Sequence, residues 1–389
     1  MIIHFHYSSN ENSGEIRRIR NINKDIAFGI DNEVIEIAFI SPALFFKKKR
    51  FRLNPNIKNK YYIPCIPFQS GRIFFKKFNS LYTSLIIFIL CKILKAKFII
   101  GEYSIAGQSM KFLPKKIISI IDCHGAAREE YEYNNPKHSK AYAKILDKYE
   151  NFSCNNADFI ICQSDSMKRH LISKYNLQNV SQLFTYRCSA DPNIFHIDKF
   201  ARDRKRKELN IDDTTTVFIY SGGLHKWQKI EQSIDIYRKY HALFHNSKLI
   251  LLTLNTENAK TIVAEQFGDV KNSIIIQSAA HNEVPEYLNA ADVAFLLRDN
   301  TVMNKVASPT KLAEYMACGL PVISTTVSQH WIDNSDYIFN IDNSFSISSL
   351  QSFISQSDKE QIAEYAHNNL SLKQDKEQAQ KLISDAKSK

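Results

Sequence analysis

The chain has 389 residues, of which 44% are hydrophobic and 23% are charged, with a formal net charge of +11. This is the composition of a folded protein with room for two domains, and it excludes a disordered chain and a fibrous repeat. The seven cysteines are scattered without a Cys-x-x-Cys pair, and polar residues near the start argue against a signal peptide. We therefore expect a protein of the reducing cytoplasm without structural zinc.

Strands and helices alternate in the first half of the chain. The residue pattern predicts a strand at 2–7, a polar turn, and a helix that starts at Glu15. Further strands are predicted at 34–40, 98–101, 117–122 and 159–163, with helices at 79–94, 137–155 and 166–174. Such alternation predicts a doubly wound parallel sheet.

Positive charge is concentrated in this half. Residues 1–195 hold 29 of the 51 Lys and Arg residues but only 16 of the 40 Asp and Glu residues, and no acidic residue lies between Glu36 and Glu102. Interleaved phenylalanines make this basic stretch suitable for an anionic membrane surface, although a solvated basic face stays open as an alternative. Nucleic-acid binding is not expected, because no nucleic-acid module is recognisable. The apolar run 85–90 ends at Lys92, too early to span a bilayer.

A second alternating series follows a charged segment. We place the domain linker between residues 195 and 205, which delimits a first domain at 1–195 and a second at 205–357. The second series predicts strands at 216–220, 248–253, 273–277, 292–297 and 321–325, and helices at 230–243, 257–267 and 284–289. A helical tail is expected at 358–389. The simplest interpretation is two Rossmann-like halves.

The segment 308–321 has the start and stop signals of a short helix. Ser308 is a preferred N-cap, Pro309 suits the first helical position, Gly319 can take a left-handed stop, and Pro321 prevents continuation. This predicts a helix of about ten residues. A well-capped amphipathic helix without a ligand would have the same pattern.

The same helix start suits a nucleotide. Its unpaired N–H groups, the hydroxyls of Ser308 and Thr310 and the ammonium group of Lys311 could hold a phosphate. Glu314 lies one turn after Thr310 on the same face, where a carboxylate could accept hydrogen bonds from two ribose hydroxyls.

Two loops that follow predicted strands add candidates. Gly222 and Gly223 come after the strand 216–220 and could let the backbone approach a ligand, with Lys226 or Lys229 reaching a diphosphate; a simple turn is the alternative. His124 follows the strand 117–122 at the carboxyl edge where such sheets bind ligands, although a structural histidine is the alternative.

The segment 308–321 resembles the signature of the retaining glycosyltransferases of family 4, or glycosyl transferases group 1, which have the GT-B fold. The resemblance is clear from about residue 120 to 330. It implies that Glu314 binds the ribose and that Ser308, Pro309, Thr310 and Lys311 border the diphosphate. Many members carry a second glutamate where this chain has Val306, so the preference for the donor sugar is open.

The resemblance also assigns roles to the loops. The loop at Gly222 and Gly223 would face the signature helix, but Gly223 stands where an arginine is usual, and Gln228 where a lysine is usual. We therefore expect Lys226 to join Lys311 as a cation for the leaving group, without a metal. His124 would touch the donor sugar.

Three further positions follow from the resemblance. Gly14 would be the point where the first loop approaches the donor, Glu283 would edge the base pocket, and Arg298 would border that pocket.

The resemblance implies two Rossmann-like, doubly wound domains that face each other across a cleft, the first for the acceptor and the second for the nucleotide sugar. The tail would cross back to the first domain. The expected activity is transfer of a sugar, with retention, to a glycan or lipid-linked glycan at the inner face of the plasma membrane, in polysaccharide synthesis. A nucleotide-sugar epimerase, a phosphorylase and a non-catalytic sugar-nucleotide-binding subunit are the alternatives.

Overall fold

The computed structural model describes residues 1–7, 14–30, 33–47, 60–65, 73–135, 140–332, 336–342 and 345–388. The chain divides into two compact units. Unit 1 comprises Met1–Arg187 and Asp375–Lys389, and unit 2 comprises Cys188–Gln374.

Unit 1 contains a parallel sheet. Its elements, in chain order, are β1 (Ile2–His6), α1 (Gly14–Ile30), β2 (Val34–Ile40), α2 (Pro42–Lys47), β3 (Lys60–Pro64), α3 (Ile73–Ile93), β4 (Phe98–Glu102), β5 (Ile118–Cys123), α4 (Ala127–Asn134), α5 (Lys140–Asn156), β6 (Phe159–Cys162), α6 (Asp165–Tyr175) and β7 (Leu183–Thr185). Among the described residues, seven strands pair in the order β3-β2-β1-β4-β5-β6-β7. The predicted parallel sheet is confirmed.

The sequence missed the short strands β3 and β7. Lys60, the first residue of β3, is fully buried and lies 2.6 Å from a carboxylate oxygen of Glu36 in the neighbouring strand β2. A buried lysine interrupts the apolar pattern from which strands are predicted, and only the partner strand supplies its counter-charge.

Unit 2 contains a second parallel sheet. Its elements are α7 (Lys199–Glu208), β8 (Thr216–Ser221), α8 (Ile230–Leu243), β9 (Ser247–Leu252), α9 (Thr256–Gln266), β10 (Ile274–Gln277), α10 (Val284–Ala290), β11 (Val293–Leu296), α11 (Val302–Lys305), α12 (Thr310–Ala317), β12 (Val322–Ser324), β13 (Ile338–Asn340), α13 (Ile347–Gln356) and α14 (Lys359–Asn369). In the part of the chain that is described, six strands pair in the order β10-β9-β8-β11-β12-β13. Two parallel sheets were predicted, and this one is confirmed as well.

The charged segment that we placed in a linker is a packed helix of unit 2. Arg206 of α7 is buried and donates hydrogen bonds to the Ala290 carbonyl at 3.0 Å and to Asp292 at 2.7 Å. Arg202, one turn earlier, donates to the other oxygen of Asp292 at 2.8 Å. These charges are paired inside unit 2, so α7 is part of that unit, and the division between the units lies earlier, at 187–188.

The last helix, α15 (Leu372–Lys387), begins at the end of unit 2 and belongs to unit 1 from Asp375 onward. Its residues Ala379, Leu382, Ile383 and Ala386 are buried in the same apolar cluster as strands β1, β4, β5 and β6.

None of the helices among the described residues has the length and apolar character needed to cross a bilayer.

Candidate active site

A glycine loop in unit 2 lies under the side chain of Lys311. Gly222 directly follows β8 and has a φ of +139°, a region that favours glycine. A Cβ atom at Gly222 would lie 2.0 Å from Nζ of Lys311. In addition, the Ser221 N–H donates a hydrogen bond to the Tyr315 hydroxyl at 2.9 Å. The structure thus brings the predicted glycine loop together with helix α12.

Two cations share the side-chain oxygen of Gln228. Lys311 Nζ donates to Gln228 Oε1 at 3.1 Å and lies 4.7 Å from the ring centre of Tyr220. Arg298, just beyond β11, donates to the same Oε1 atom, and its guanidinium group lies 4.4 Å from the ring centre of Trp227. Among the described residues, neither cation contacts a carboxylate.

Burial makes this pair of cations unfavourable without an anion. The pKa of Lys311 falls well below its usual value because the amine is buried, and the charge of Arg298 lowers it further, whereas Glu314 opposes the change. Burial also lowers the pKa of Arg298 to about 10. A phosphate that reached both groups would supply the missing negative charge.

The start of α12 differs from the prediction. Pro309, and not Ser308, occupies the N-cap position, and the helix of eight residues begins at Thr310. The reason is that the Ser308 hydroxyl accepts a hydrogen bond from the Cys188 N–H at 3.0 Å, so its lone pair serves another segment. The hydroxyl hydrogen of Ser308 can still be donated. Gly319 has the predicted positive φ, at +75°.

Glu314, the predicted ribose ligand, faces a histidine that the sequence did not single out. Its Oε1 atom lies 3.3 Å from Nε2 of His281, and Glu314 is mostly buried while His281 is exposed. The ring of His281 meets that of Phe195 edge-on at 5.4 Å. Glu314 therefore lies next to the solvent-facing side of unit 2, and its ribose role stays a prediction.

The other predicted residues of unit 2 are less well connected. Lys226 is exposed, and its side chain forms no hydrogen bond or ion pair with another described residue, while Lys229 donates to Asp299 at 2.9 Å. Glu283 is exposed and accepts a hydrogen bond from the Ala280 N–H at 2.8 Å, which closes the turn before α10. Lys311 thus meets Arg298 through Gln228, and not Lys226 as we expected.

In unit 1, His124 lies against two buried carboxylates. Its Nε2 atom is 2.9 Å from Asp122 at the end of β5 and also contacts Glu102, the last residue of β4. Asp122 and Glu102 are register partners on neighbouring strands. The ring of Tyr103 lies 5.1 Å from that of His124. The predicted carboxyl-edge position of His124 is therefore a densely charged one.

The charged cluster continues across the sheet. His4 of β1 contacts the second oxygen of Glu102 through Nε2 and Asn23 through Nδ1. Arg18 of α1 donates to both oxygens of Asp122, at 2.8 and 2.9 Å. Each carboxylate is thus held by two positively charged or donating groups.

These contacts keep His124 protonated. Burial on its own would lower the pKa of His124, but the adjacent Glu102 and Asp122 raise it well above its usual value. Burial would likewise raise the pKa of Asp122, but Arg18 and His124 hold it well below the usual range. The two carboxylates therefore favour the imidazolium form of His124, which donates hydrogen bonds, over the neutral base.

The one group of described side chains with a metal-like arrangement is Glu102, Asp122 and His124, whose ligand atoms lie within 4.8 Å of one another. Arg18 already holds both oxygens of Asp122, and His4 holds one oxygen of Glu102, whose other oxygen contacts His124 itself. This donor set therefore fits an ion-pair cluster better than a cation site. Metal independence stays a prediction.

Gly14 is the first residue of α1, and residues 8–13 of the predicted first loop lie outside the described residues.

Residues 201–330 match the family described as glycosyl transferases group 1. This stretch contains the glycine loop, Arg298 and helix α12. The match supports the group 1 glycosyltransferase family. No curated protein sequence matches the chain.

Solved structures of glycosyltransferases resemble this chain over nearly its whole length. Sucrose-phosphate synthase from Thermosynechococcus elongatus has a TM-score of 0.74 at 13% identity, covering 100% of this chain and 99% of that one. WaaG, a glycosyltransferase involved in lipopolysaccharide biosynthesis, has a TM-score of 0.70 at 16% identity, covering 98% and 99%. Anabaena HepE in complex with UDP-glucose has a TM-score of 0.67 at 12% identity, covering 99% of each chain. The predicted GT-B fold is confirmed.

Within this GT-B fold, the sequence did not reveal three residues of the two clusters. Gln228 was interpreted only as the replacement of a lysine that is usual at this position. Glu102 ends an apolar strand and belongs to no motif, and His281 lies in an exposed turn. A polar residue at the end of a buried strand was the available signal for Glu102, since such ends meet at the carboxyl edge.

Proposed function

We propose that the protein is a glycosyltransferase that moves a sugar from a nucleotide-diphosphate donor to a glycan or lipid-linked glycan, with retention of the anomeric configuration. The observation that carries this proposal is the pair of buried cations, Lys311 and Arg298, held on Gln228 beside Gly222. All four residues lie within the stretch that matches the group 1 family.

The cation pair would act on the leaving group. As the bond to the sugar breaks, negative charge develops on the diphosphate, and Lys311 and Arg298 would neutralise it without a divalent metal. Arg298 would thereby do the work that we expected of Lys226 and that an arginine at position 223 does in relatives. The free N–H groups at the start of α12 would add to this stabilisation.

Glu314 would bind the ribose. Its carboxylate accepts hydrogen bonds, and its contact with exposed His281 leaves it close to solvent, where two sugar hydroxyls could reach it.

His124 would hold the donor sugar as a charged donor of hydrogen bonds. Its Nε2 atom contacts Glu102 and Asp122, and its Nδ1 atom forms no hydrogen bond or ion pair with another described residue. Because the imidazole is protonated, it would not take the proton of the acceptor; a β-phosphate oxygen of the donor would do so, which is compatible with retention.

Two of the similar proteins suggest the biological setting. WaaG is involved in lipopolysaccharide biosynthesis, and HepE has been crystallised with UDP-glucose. We therefore propose a UDP-sugar as the first donor to test and a surface polysaccharide as the product, made at the cytoplasmic face of the membrane.

The experiments distinguish transfer from two other functions. Val306 is buried where relatives carry a glutamate, and Gly223 replaces an arginine, so a sugar-nucleotide-binding subunit without transfer activity is the first. The second is an epimerase, which would act on the free nucleotide sugar.

Thermal unfolding with UDP, GDP, CDP and dTDP in EDTA tests the donor site. A ligand at 100 times its Kd adds about 2.7 kcal/mol to stability. We expect the response to vanish in Lys311→Ala and Arg298→Ala and to persist in Lys226→Ala, the control. No response of the wild type to any nucleotide would contradict the donor site.

Transfer from the matching labelled nucleotide sugar to a lipid extract then separates the alternatives. Formation of a labelled glycolipid supports transfer, interconversion of the free donor indicates an epimerase, and binding without turnover indicates a binding subunit. The anomeric configuration of the product, measured by NMR, tests retention.

A further inference from the structure

Helix α3 of unit 1 has its polar residues inside. Asn79, Thr83 and Ser84 are all buried on the face that packs against the unit. Thr83 Oγ1 lies 2.7 Å from the Ser109 hydroxyl, and Ser84 donates to the Gln108 carbonyl at 3.0 Å. The hydroxyl groups of Thr83 and Ser84 are therefore satisfied by hydrogen bonds within unit 1, which favours this orientation of the helix.

The opposite face of α3 exposes apolar side chains. Five of them are between 44% and 69% exposed: Phe78, Leu81, Leu85, Ile89 and Ile93, which we call the α3 stripe. Their spacing of three or four residues places them on one side of the helix. The stripe runs for about 22 Å along the helix, at roughly 1.5 Å per residue. A contiguous apolar surface of this kind marks an interaction site.

A pocket rich in lysine lies at the C-terminal end of the stripe. It has a volume of about 850 Å³, and its walls include Phe98 and Ile118. Five lysines line it: Lys92, Lys95, Lys97, Lys116 and Lys387. The described residues that line the pocket include no acidic side chain. Lys92 lies within the sector of the stripe on the helix, so the two features are continuous.

We propose that the α3 stripe and the lysine pocket form one docking surface for a bilayer that contains anionic lipid. The stripe would enter the boundary between headgroups and acyl chains, and the pocket would take a lipid phosphate. This deepens the proposed function and rests on it, because a lipid-linked acceptor is what brings the enzyme to a membrane.

Charge favours a lipid surface over a second copy of the chain. In a symmetric dimer with parallel helices, the lysines of one copy would lie near those of the other, and with antiparallel helices they would lie near the first turn of the other α3, which has no acidic residue. No acidic residue occurs between Glu36 and Glu102 to offset that repulsion. An anionic membrane offers both an apolar interior and the opposite charge.

Flotation with vesicles tests the surface on the full chain. We expect the wild type to bind phosphatidylglycerol-containing vesicles at least tenfold more strongly than pure phosphatidylcholine vesicles at low salt. Leu85→Ser/Ile89→Ser should lose at least tenfold in binding to the anionic vesicles. Lys95→Glu/Lys116→Glu should lose the preference for anionic lipid.

Matched controls remove the same chemistry from unit 2. Leu243→Ser/Leu254→Ser removes two exposed leucines, and Lys207→Glu/Lys271→Glu reverses two exposed lysines. Both should bind vesicles as the wild type does. Equal losses in controls and test variants, or a wild type that does not bind anionic vesicles, would overturn the proposal.

Two measurements separate the remaining outcomes. If the wild type is a dimer by light scattering and Leu85→Ser/Ile89→Ser is a monomer, the stripe is a dimer interface and the proposal is wrong. The thermal response to nucleotide shows whether each variant is folded. If the wild type gives no such response, the proposed donor site is wrong, but the vesicle measurement still tests the docking surface.

Discussion

At the scale of single residues, Lys311 links nucleotide binding to pH. Its pKa is well below the usual value because it is buried and lies near Arg298, whereas a bound phosphate would favour the charged amine. Binding should therefore raise this pKa and take up a proton. The affinity is expected to be constant below the pKa of the free protein and to fall as the pH rises through it.

Calorimetry in buffers of different ionisation enthalpy measures that proton uptake. Between pH 6 and 9, we expect the wild type to take up more protons on binding than Lys311→Met does, because only the wild type has the Lys311 amine. The comparison cancels the protons that the nucleotide itself exchanges, since both proteins bind the same nucleotide. Lys226→Ala should behave like the wild type. Equal proton uptake by the wild type and Lys311→Met would refute the link.

Glu130 has an unusual protonation equilibrium in unit 1. Burial raises its pKa to about 7, with Glu150 and Glu129 adding to the effect and His124 opposing it. The pKa of Glu130 is therefore higher in the folded state than in the unfolded state. Its contribution to the stability of the protein is complete below about pH 4.5 and is lost as the pH rises through about 7.

Replacing the Glu130 carboxyl group by an amide should remove this loss of stability at high pH. We expect Glu130→Gln to be more stable than the wild type at pH 8 by roughly 1 to 3 kcal/mol and nearly equal to it at pH 5. Urea unfolding at both pH values measures this. The exposed Glu132→Gln is the control, and an unchanged pH dependence in Glu130→Gln would show that another group is responsible.

At the scale of elements, the end of β8 and helix α12 act together through a glycine. Lys311 occupies the space that a side chain at Gly222 would need, and Gly222 also has a positive φ. Gly223 is less restricted, because the nearest atom to its Cβ position is His225 Cδ2 at 3.3 Å.

A double-mutant cycle can measure this coupling. We expect Gly222→Ala to lower stability by about 1 to 3 kcal/mol and to abolish the nucleotide response, since both the conformation and the Lys311 position are disturbed. Its effect on stability should be smaller in a Lys311→Ala background, which removes the clash but not the strain. Gly223→Ala should cost less, and strictly additive effects of Gly222→Ala and Lys311→Ala would contradict the coupling.

At the scale of the whole molecule, the chain ends inside unit 1. Leu382 of α15 is buried in the apolar cluster of the first sheet, and Asp375 accepts a hydrogen bond from the Arg187 N–H at 2.8 Å. Unit 1 is therefore formed from both ends of the chain.

Unit 1 should accordingly depend on its distant last helix. We expect Leu382→Ala to destabilise the protein by about 2 to 5 kcal/mol, the usual cost of truncating a buried leucine, and Lys381→Ala to have little effect because it is exposed. Urea unfolding measures both. Equal stability of the two variants would mean that α15 does not support the core.

Much of this organisation follows from local patterns. The helix 230–243 and the strand 34–40 have the predicted bounds, because each combines a clear period with clear ends. The short strands β3, β7 and β13 were missed because so few side chains show no reliable period, whereas β12, equally short, was found because it directly follows the stop signals of the helix 308–321. Val302–Lys305 was missed for the same reason.

By itself, the sequence determined two parallel α/β sheets, the short helix within 308–321 and the carboxyl-edge position of His124, since these depend on period, start and stop signals and order along the chain. Only the tertiary structure decided that Arg298 joins Lys311 on Gln228, that Glu102 and Asp122 keep His124 charged, and that α3 turns its apolar face outward. Those facts depend on contacts between residues that are far apart in the chain. Such contacts set the burial and the protonation of each side chain, and a local sequence pattern does not predict them.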